Sequence, residues 1–416
     1  MLRRILQSIF ICSVILAAVA AHAAGFGVYE YSARGNALGN AVMAQKADPS
    51  SIAVNPAQLN NLEGTQFAIG VSGVYPAATV DVSKNNLPNN STDIGSFKGK
   101  SSLWLLPHFY ATHKLSDDWA VGVAGFSRFG LGTEFDDDWA GRYDVTYVRI
   151  QSFSVNPLIG YKVTDKLSVA AGPEIMWFEF TNRKATPNFL PTKTKFVDPD
   201  LEADCKGDSY GVGGSFGLHY QITDKIAVGA SYRTEVKQTV KGDMTIGPLE
   251  GPAKGNIILP RQWAFGLSVK PVDALSVEVG ATWVGWSSYS ELAIVEDGDT
   301  PLPDMKARET RYHDAWRFNI GAEYNLTENW DIRGSYVYDQ SPVNEDYLSY
   351  LVPSNDRHLL SAGLGWHNDS WSVDGSYTYL FTDNRHGEVE LYGLTQETTF
   401  ENANAHIFAI TLGYKF

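Results

Sequence analysis

The sequence predicts an all-β protein, a 14-stranded antiparallel transmembrane β-barrel with an N-terminal hatch inside its lumen. Three observations carry this expectation. Short polar turns alternate with long polar connectors along the chain. The segments between them alternate apolar and polar residues with period two. Aromatic residues reach 12% in a chain of which only 44% is hydrophobic. Beyond the N-terminus no segment offers the roughly 20 consecutive apolar residues that a spanning helix needs, so strands are the remaining way across a membrane.

The N-terminus reads as an export signal. Arg3 and Arg4 form a basic start, Ile5 to Ala20 an apolar core, and "AHA" (21–23) a small-x-small cleavage site. Three regions are therefore expected: a signal peptide over 1–23, a hatch over 24–64 and the barrel over 65–416. Loss of Arg3 and Arg4 moves the formal net charge from −14 to −16, which disfavours nucleic acid as a partner. Cys12 lies in the signal and Cys205 is the one cysteine left, so no intramolecular disulfide can form.

Six short turns stand out: "LSDD" (115–118), "VTDK" (163–166), "ITDK" (222–225), "PVDA" (271–274), "LTEN" (326–329) and "HNDS" (367–370). Seven longer connectors rich in Gly, Pro, Asn and Asp, such as "VEDGDTPLPDMK", alternate with them. Thirteen connections join fourteen strands. Short turns on one side and long loops on the other is the outer-membrane pattern, with the short turns periplasmic. Within "HDAWRFNIGAEYNL", Trp316, Phe318, Ile320, Ala322 and Tyr324 share one face, and Arg317, Asn319, Gly321, Glu323 and Asn325 the other. Such a split turns apolar side chains to lipid and polar ones to the lumen. The last strand alternates through Phe408, Ile410, Leu412 and Tyr414 to a terminal Phe416.

Residues 24–64 follow neither period, and prolines break them. Irregular backbone at membrane depth is tolerated only where protein or lumen surrounds it, so this segment is expected to fill the bore. "SARGNALGNAVMAQKADPSSIAVNPAQL" suits that place, with small residues for close packing and Asn, Ser and Gln for bonding to a polar wall.

Several stretches, in order, carry a resemblance: "AGF" (24–26), "NPA" (55–57), "FGLGTEF" (129–135), "LPRQW" followed by "WSSYSEL", "DAWRFNIG" (314–321), and "YDQSPV" followed by "DRHLLSAG". Together they are similar to the FadL-type outer-membrane transporters of long-chain fatty acids and other hydrophobic molecules (OmpP1/FadL/TodX-like), over essentially the whole mature chain. The resemblance implies a hatch in a fourteen-stranded barrel whose third strand kinks inward and opens a gap in the wall. It places the kink at Gly130. Asn55, within Asn55-Pro56-Ala57, would bond to backbone freed by the kink, close to lumen-facing Asp339. Plainer readings stand beside these: Asn-Pro commonly starts a turn, and Gly130 is one of 38 glycines.

The resemblance also implies a ligand pocket. Its basic residues fall on Arg183 or Lys184 at the end of strand five and on Arg308 at the start of strand ten, and Phe26 lines the same pocket. The plainer reading of these cations is solvated loop bases. The expected function is passive uptake of long-chain fatty acids or similar hydrophobic molecules across the outer membrane of a Gram-negative cell, by a monomer, with lateral release at the kinked strand. The family's carriers of aromatic hydrocarbons, toluene-like or xylene-like, form the alternative, and they need no cation. Outer-membrane lipid and lipopolysaccharide are the expected surroundings. Neither cofactor nor metal is expected, and no phosphate-binding loop appears.

Two further functional classes find partial support in the sequence. "GGSFG" (213–217) matches the G-x-S-x-G pattern of hydrolases, but that pattern has force only at a strand-turn-helix elbow, and here it lies in a glycine-rich strand. His108, His113, His219, His313 and His406 lack metal-ligand spacing. An unselective porin is the other alternative. The acidic runs Asp136-Asp137-Asp138 and "DPDLEAD" read as solvated loops or as divalent-cation contacts at the lipopolysaccharide surface.

Overall fold

Fourteen strands close into one antiparallel ring in a computed structural model, which describes residues 25–87, 93–189, 196–296, 302, 308–352 and 355–416. The expected signal peptide lies outside the described residues. In chain order the wall comprises β1 (Thr65–Asn85), β2 (Trp104–Lys114), β3 in two parts (Trp119–Phe126 and Gly130–Glu134), β4 (Tyr147–Lys162), β5 (Leu167–Phe189) and β6 (Phe196–Thr223). It continues through β7 (Ile226–Arg233 and Val236–Ile246), β8 (Leu249–Leu259 and Gln262–Val272), β9 (Leu275–Val284) and β10 (Ala315–Asn325). It ends with β11 (Trp330–Asp339), β12 (Arg357–His367), β13 (Trp371–Thr382) and β14 (Leu394–Lys415). Each strand pairs with its sequence neighbours, and β14 pairs with β1 from Gln66↔Lys415 to Asn85↔Gln396, which closes the ring.

All six short turns fall where the sequence places them, each from an even strand to the next odd one, on one side of the ring. Side-chain facing follows the alternation as well. Trp316, Phe318, Ile320 and Tyr324 of β10 are 37–46% exposed, whereas Arg317 and Glu323 are buried. Because the period is two, a one-residue slip would turn this whole set inward, so the lipid-facing band locks the register.

Residues 25–62 are almost wholly buried, and their partners lie on inward positions around the ring. The segment folds through local caps. Ser32 caps the one-turn helix α1 (Ala33–Ala37), and its side chain accepts from Gly35 N. Asp48 and Ser51 form a capping box on the 3-10 turn Pro49–Ala53. Asn55 caps the next turn, Pro56–Asn61, with Pro56 at its first position, where a missing N–H costs nothing. The Asn55-Pro56-Ala57 motif is thus first of all a helix start, as the plainer reading held.

The segment is tied to the wall by its backbone and by buried charges. Glu278 of β9 accepts from the N–H groups of Met43 (2.7 Å), Ala44 (2.8 Å) and Gln45 (3.0 Å). Arg34 donates to Glu323 of β10 at 2.9 Å, and Glu323 also accepts from Arg333 at 2.7 Å. Arg233 of β7 donates to Ala53 O, and Tyr110 of β2 to Tyr31 O. Glycines on the inner wall make the close approach possible. A Cβ at Gly217, Gly229, Gly321 or Gly363 would collide with Asn55, Met43, Leu38 or Ala37 respectively.

Two predictions follow from these anchors. Glu323→Ala leaves Arg34 and Arg333 buried without their shared carboxylate, which should cost about 3 kcal/mol. Urea unfolding of the barrel in lipid vesicles measures this, and an unshifted midpoint would mean that the cluster contributes no stability. Gly229→Leu combined with Gly321→Leu should dislodge residues 25–62 while the barrel still forms. The readouts are higher ion conductance in planar bilayers and an unchanged heat-dependent shift on gels.

Candidate functional site

The ladder between β2 and β3 is interrupted partway up the wall. β3 stops at Phe126 and resumes at Gly130, so Ser127, Arg128 and Phe129 leave the ladder. Below the break, β2 and β3 pair from Phe109↔Gly125 to Lys114↔Ala120. Above it, the ladder of Trp104 to His108 runs with β1 and that of Gly130 to Glu134 with β4, and no β2–β3 ladder continues among the described residues. The two strand edges have separated.

Three sets of contacts hold the break open. The N-terminal residues substitute for the lost neighbour: Val28 N donates to Arg128 O and Gly130 N to Phe26 O, both at 2.9 Å. Ser152 of β4 bonds both the N–H and the carbonyl of Phe129 through its hydroxyl. Arg128 turns inward to Glu174 at 3.0 Å, and Glu174 also pairs with Arg233 at 2.9 Å. A carboxylate between two buried guanidinium groups is a strong lure for a strand segment, since an arginine buried alone would be far costlier.

The expectation for Asn55 is corrected here. Asn55 Nδ2 donates to Met43 O and to Leu218 O of β6, and Oδ1 accepts from Ala57 N, so Asn55 does not bond to the break. Its side chain is taken up by capping its own turn and tying that turn to β6. Asp339 shares no bond with Asn55 among the described residues. It accepts from Arg317 (3.1 Å) and Arg357 (2.9 Å), and Arg357 also donates to Gly27 O, which connects Asp339 to the N-terminal residues at the break. Gly130 begins the outer half of β3 rather than sitting within the irregular stretch. A Cβ there would make only ordinary contact with Val28. Gly132 is the tighter position, because a side chain would collide with the Trp104 indole, which also lies under Arg149.

A cavity of about 490 Å³ occupies the gap. Gly25, Val28, Phe129 and Arg357 line it from the lumen, and Leu105, Phe153 and Trp177 line it from the outer face of the wall. The cavity thus draws on inward-facing and outward-facing positions at the break, and its lining is largely apolar.

Above the break the lumen is apolar. A cluster that includes Phe26, Phe129, Trp139, Phe178, Trp286 and Tyr350 fills it. Phe26 is central: its ring lies edge-on to Trp286 (4.8 Å) and Tyr289 (5.4 Å) and 5.9 Å from Phe129. Here the ambiguity at the end of β5 resolves. Arg183 is exposed on the outer face, paired with Asp204 at 3.3 Å and stacked over Tyr147. Lys184 faces inward, close enough to Arg308 and Asp144 to feel both charges. Arg308 forms an ion pair with Asp144 and donates to Leu348 O. Phe26, Lys184 and Arg308 thus share the upper lumen; Arg183 does not.

Sequence reasoning missed Arg128, Glu174, Arg233 and Asp144. An arginine and a glutamate within otherwise apolar, alternating strands were the available signals, since such charges are buried only when paired. Ser215 lies mid-strand in β6 and donates to Asn156 Oδ1, far from an elbow geometry.

Comparison with known proteins accords with this arrangement. Residues 14–416 match the family described as "Outer membrane protein transport protein (OMPP1/FadL/TodX)". The chain is 24% identical to the "Long-chain fatty acid transport protein" of Escherichia coli over 99% of this chain and 98% of that one. The fold is similar to a Pseudomonas aeruginosa FadL homologue (TM-score 0.84, 19% identity, 94% of this chain and 100% of that one). It is also similar to the Ralstonia pickettii toluene transporter TbuX (TM-score 0.70, 21% identity, 93% and 98%). A closed fourteen-stranded ring and a family match over nearly the whole chain lead to one conclusion: the protein belongs to the OMPP1/FadL/TodX family of outer-membrane transporters of hydrophobic compounds.

Proposed function

We propose that the protein takes up long-chain fatty acids or similar amphiphiles passively and releases them sideways into the membrane through the break in β3. The cavity at the break, lined from both inward-facing and outward-facing positions, is the observation that supports this reading. A hydrophobic solute gains about 0.8 kcal/mol for each methylene removed from water, so an apolar passage serves it better than an aqueous bore. The solute is captured among apolar side chains at the outer face and settles in the apolar upper lumen near Phe26. There Lys184 and Arg308 meet its carboxylate, an interaction strengthened where water is excluded.

Residues 24–64 act as the hatch in this reading. Phe26 and Val28 are bonded to the break itself, so a shift of the N-terminal residues alters the opening directly. A second reading, uptake of aromatic hydrocarbons, draws on two observations: Arg308 is already paired with Asp144, and the upper lumen is rich in aromatic rings.

Uptake of oleate against toluene, in a strain lacking its own transporter, separates the two. Oleate should enter, and Arg308→Ala with Lys184→Ala should reduce its uptake roughly tenfold, the scale of one charge-assisted bond. Undiminished oleate uptake in the double variant would defeat the fatty-acid reading. Gly130→Phe, which fills the cavity in the wall, should reduce uptake of either solute; full uptake through it would sink lateral release.

A further inference from the structure

The loop between β3 and β4 folds into the top of the barrel. Trp139, Ala140, Tyr143 and Val145 are all buried there within the upper apolar cluster. Trp139 stacks on Phe135 with ring centroids 3.9 Å apart, and its indole N–H donates to Val145 O. Gln396 of β14 donates to Ala140 O from across the lumen. The far end of the loop runs alongside β5: Ala185 N donates to Arg142 O and Thr146 N to Arg183 O. This pairing sets Asp144 opposite Lys184.

Asp144 is buried at the centre of this arrangement. Besides its ion pair with Arg308, it accepts from Ser349 Oγ at 2.9 Å and from Tyr350 N at 2.7 Å. The loop therefore offers the upper lumen two things at once, an apolar surface and a carboxylate held by an arginine. Those are the chemical features of a fatty-acid anion.

We propose that Asp144 is a built-in competitor for the anionic head group, so that it sets how strongly the site prefers neutral over carboxylate-bearing solutes. The inference rests on the reading that Arg308 and Lys184 meet the head group. A carboxylate entering the chamber must take Arg308 from Asp144, whereas an alcohol or hydrocarbon need not. Opposite charges cancel locally: with Asp144 in place, Arg308 attracts a second anion only weakly. Removal of the Asp144 charge leaves Arg308 and Lys184 both seeking a partner in apolar surroundings, where an unpaired charge is costly. An Asn at the position still accepts from Tyr350 N through its amide oxygen, so the loop keeps that anchor.

The test compares two ligands with the same chain and different heads. Equilibrium binding of oleate and of oleyl alcohol is measured on the full-length protein in nanodiscs, for wild type, Asp144→Asn and Arg308→Ala. Asp144→Asn should raise the ratio of oleate to oleyl-alcohol affinity about tenfold, the change expected when one charge-assisted bond no longer has to be broken. An unchanged ratio overturns the proposal, whether both affinities hold or both fall together, because the residue would then act only in packing the loop. Failure of the underlying reading is distinct. Arg308→Ala would then leave the wild-type ratio where it was, which overturns the head-group assignment and the competitor with it.

Discussion

Backbone polar groups have no water to turn to inside a bilayer, and this constraint organises the whole molecule. Thirteen pairings between neighbouring strands and one closing pair satisfy it around the ring. At the break in β3 the ladder does not, and the structure supplies substitutes there. Phe26 and Val28 take over as backbone partners, Ser152 satisfies both sides of Phe129, and Glu174 receives Arg128. An opening in the wall is thus a stable feature rather than a frayed edge. It is also chemically joined to the N-terminal residues, since the same bonds serve both.

The lumen is divided by polarity along its length. Its periplasmic half holds carboxylates that each serve more than one donor. Glu323 is shared by Arg34 and Arg333, Glu174 by Arg128 and Arg233, and Glu278 by three successive backbone N–H groups. Sharing matters because a buried charge is tolerable only when its hydrogen-bonding capacity is used. The outer half is apolar and aromatic, with Lys184, Arg308 and Asp144 as a small charged island. The apolar half thus meets the shared carboxylates near the level of the break.

Sequence alone determined the number of strands, the six short turns and the facing of residues such as Trp316 and Arg317. Each depends on a local pattern: alternation along a strand, or a turn between two strands. It also marked Phe26, Arg308 and the neighbourhood of Gly130 through a resemblance. Tertiary structure decided which residues meet. Arg183 and Lys184 are adjacent in sequence yet point to opposite faces, because one residue of register exchanges lipid for lumen. Asn55 lies at the expected end of the hatch yet spends its amide on its own turn and on Leu218. The partners of the break, Phe26 with Gly130 and Arg128 with Glu174, and the pairing of Asp144 with Arg308, join residues far apart in the chain. No local period encodes such pairs, because they exist only once the ring has closed around its own N-terminus.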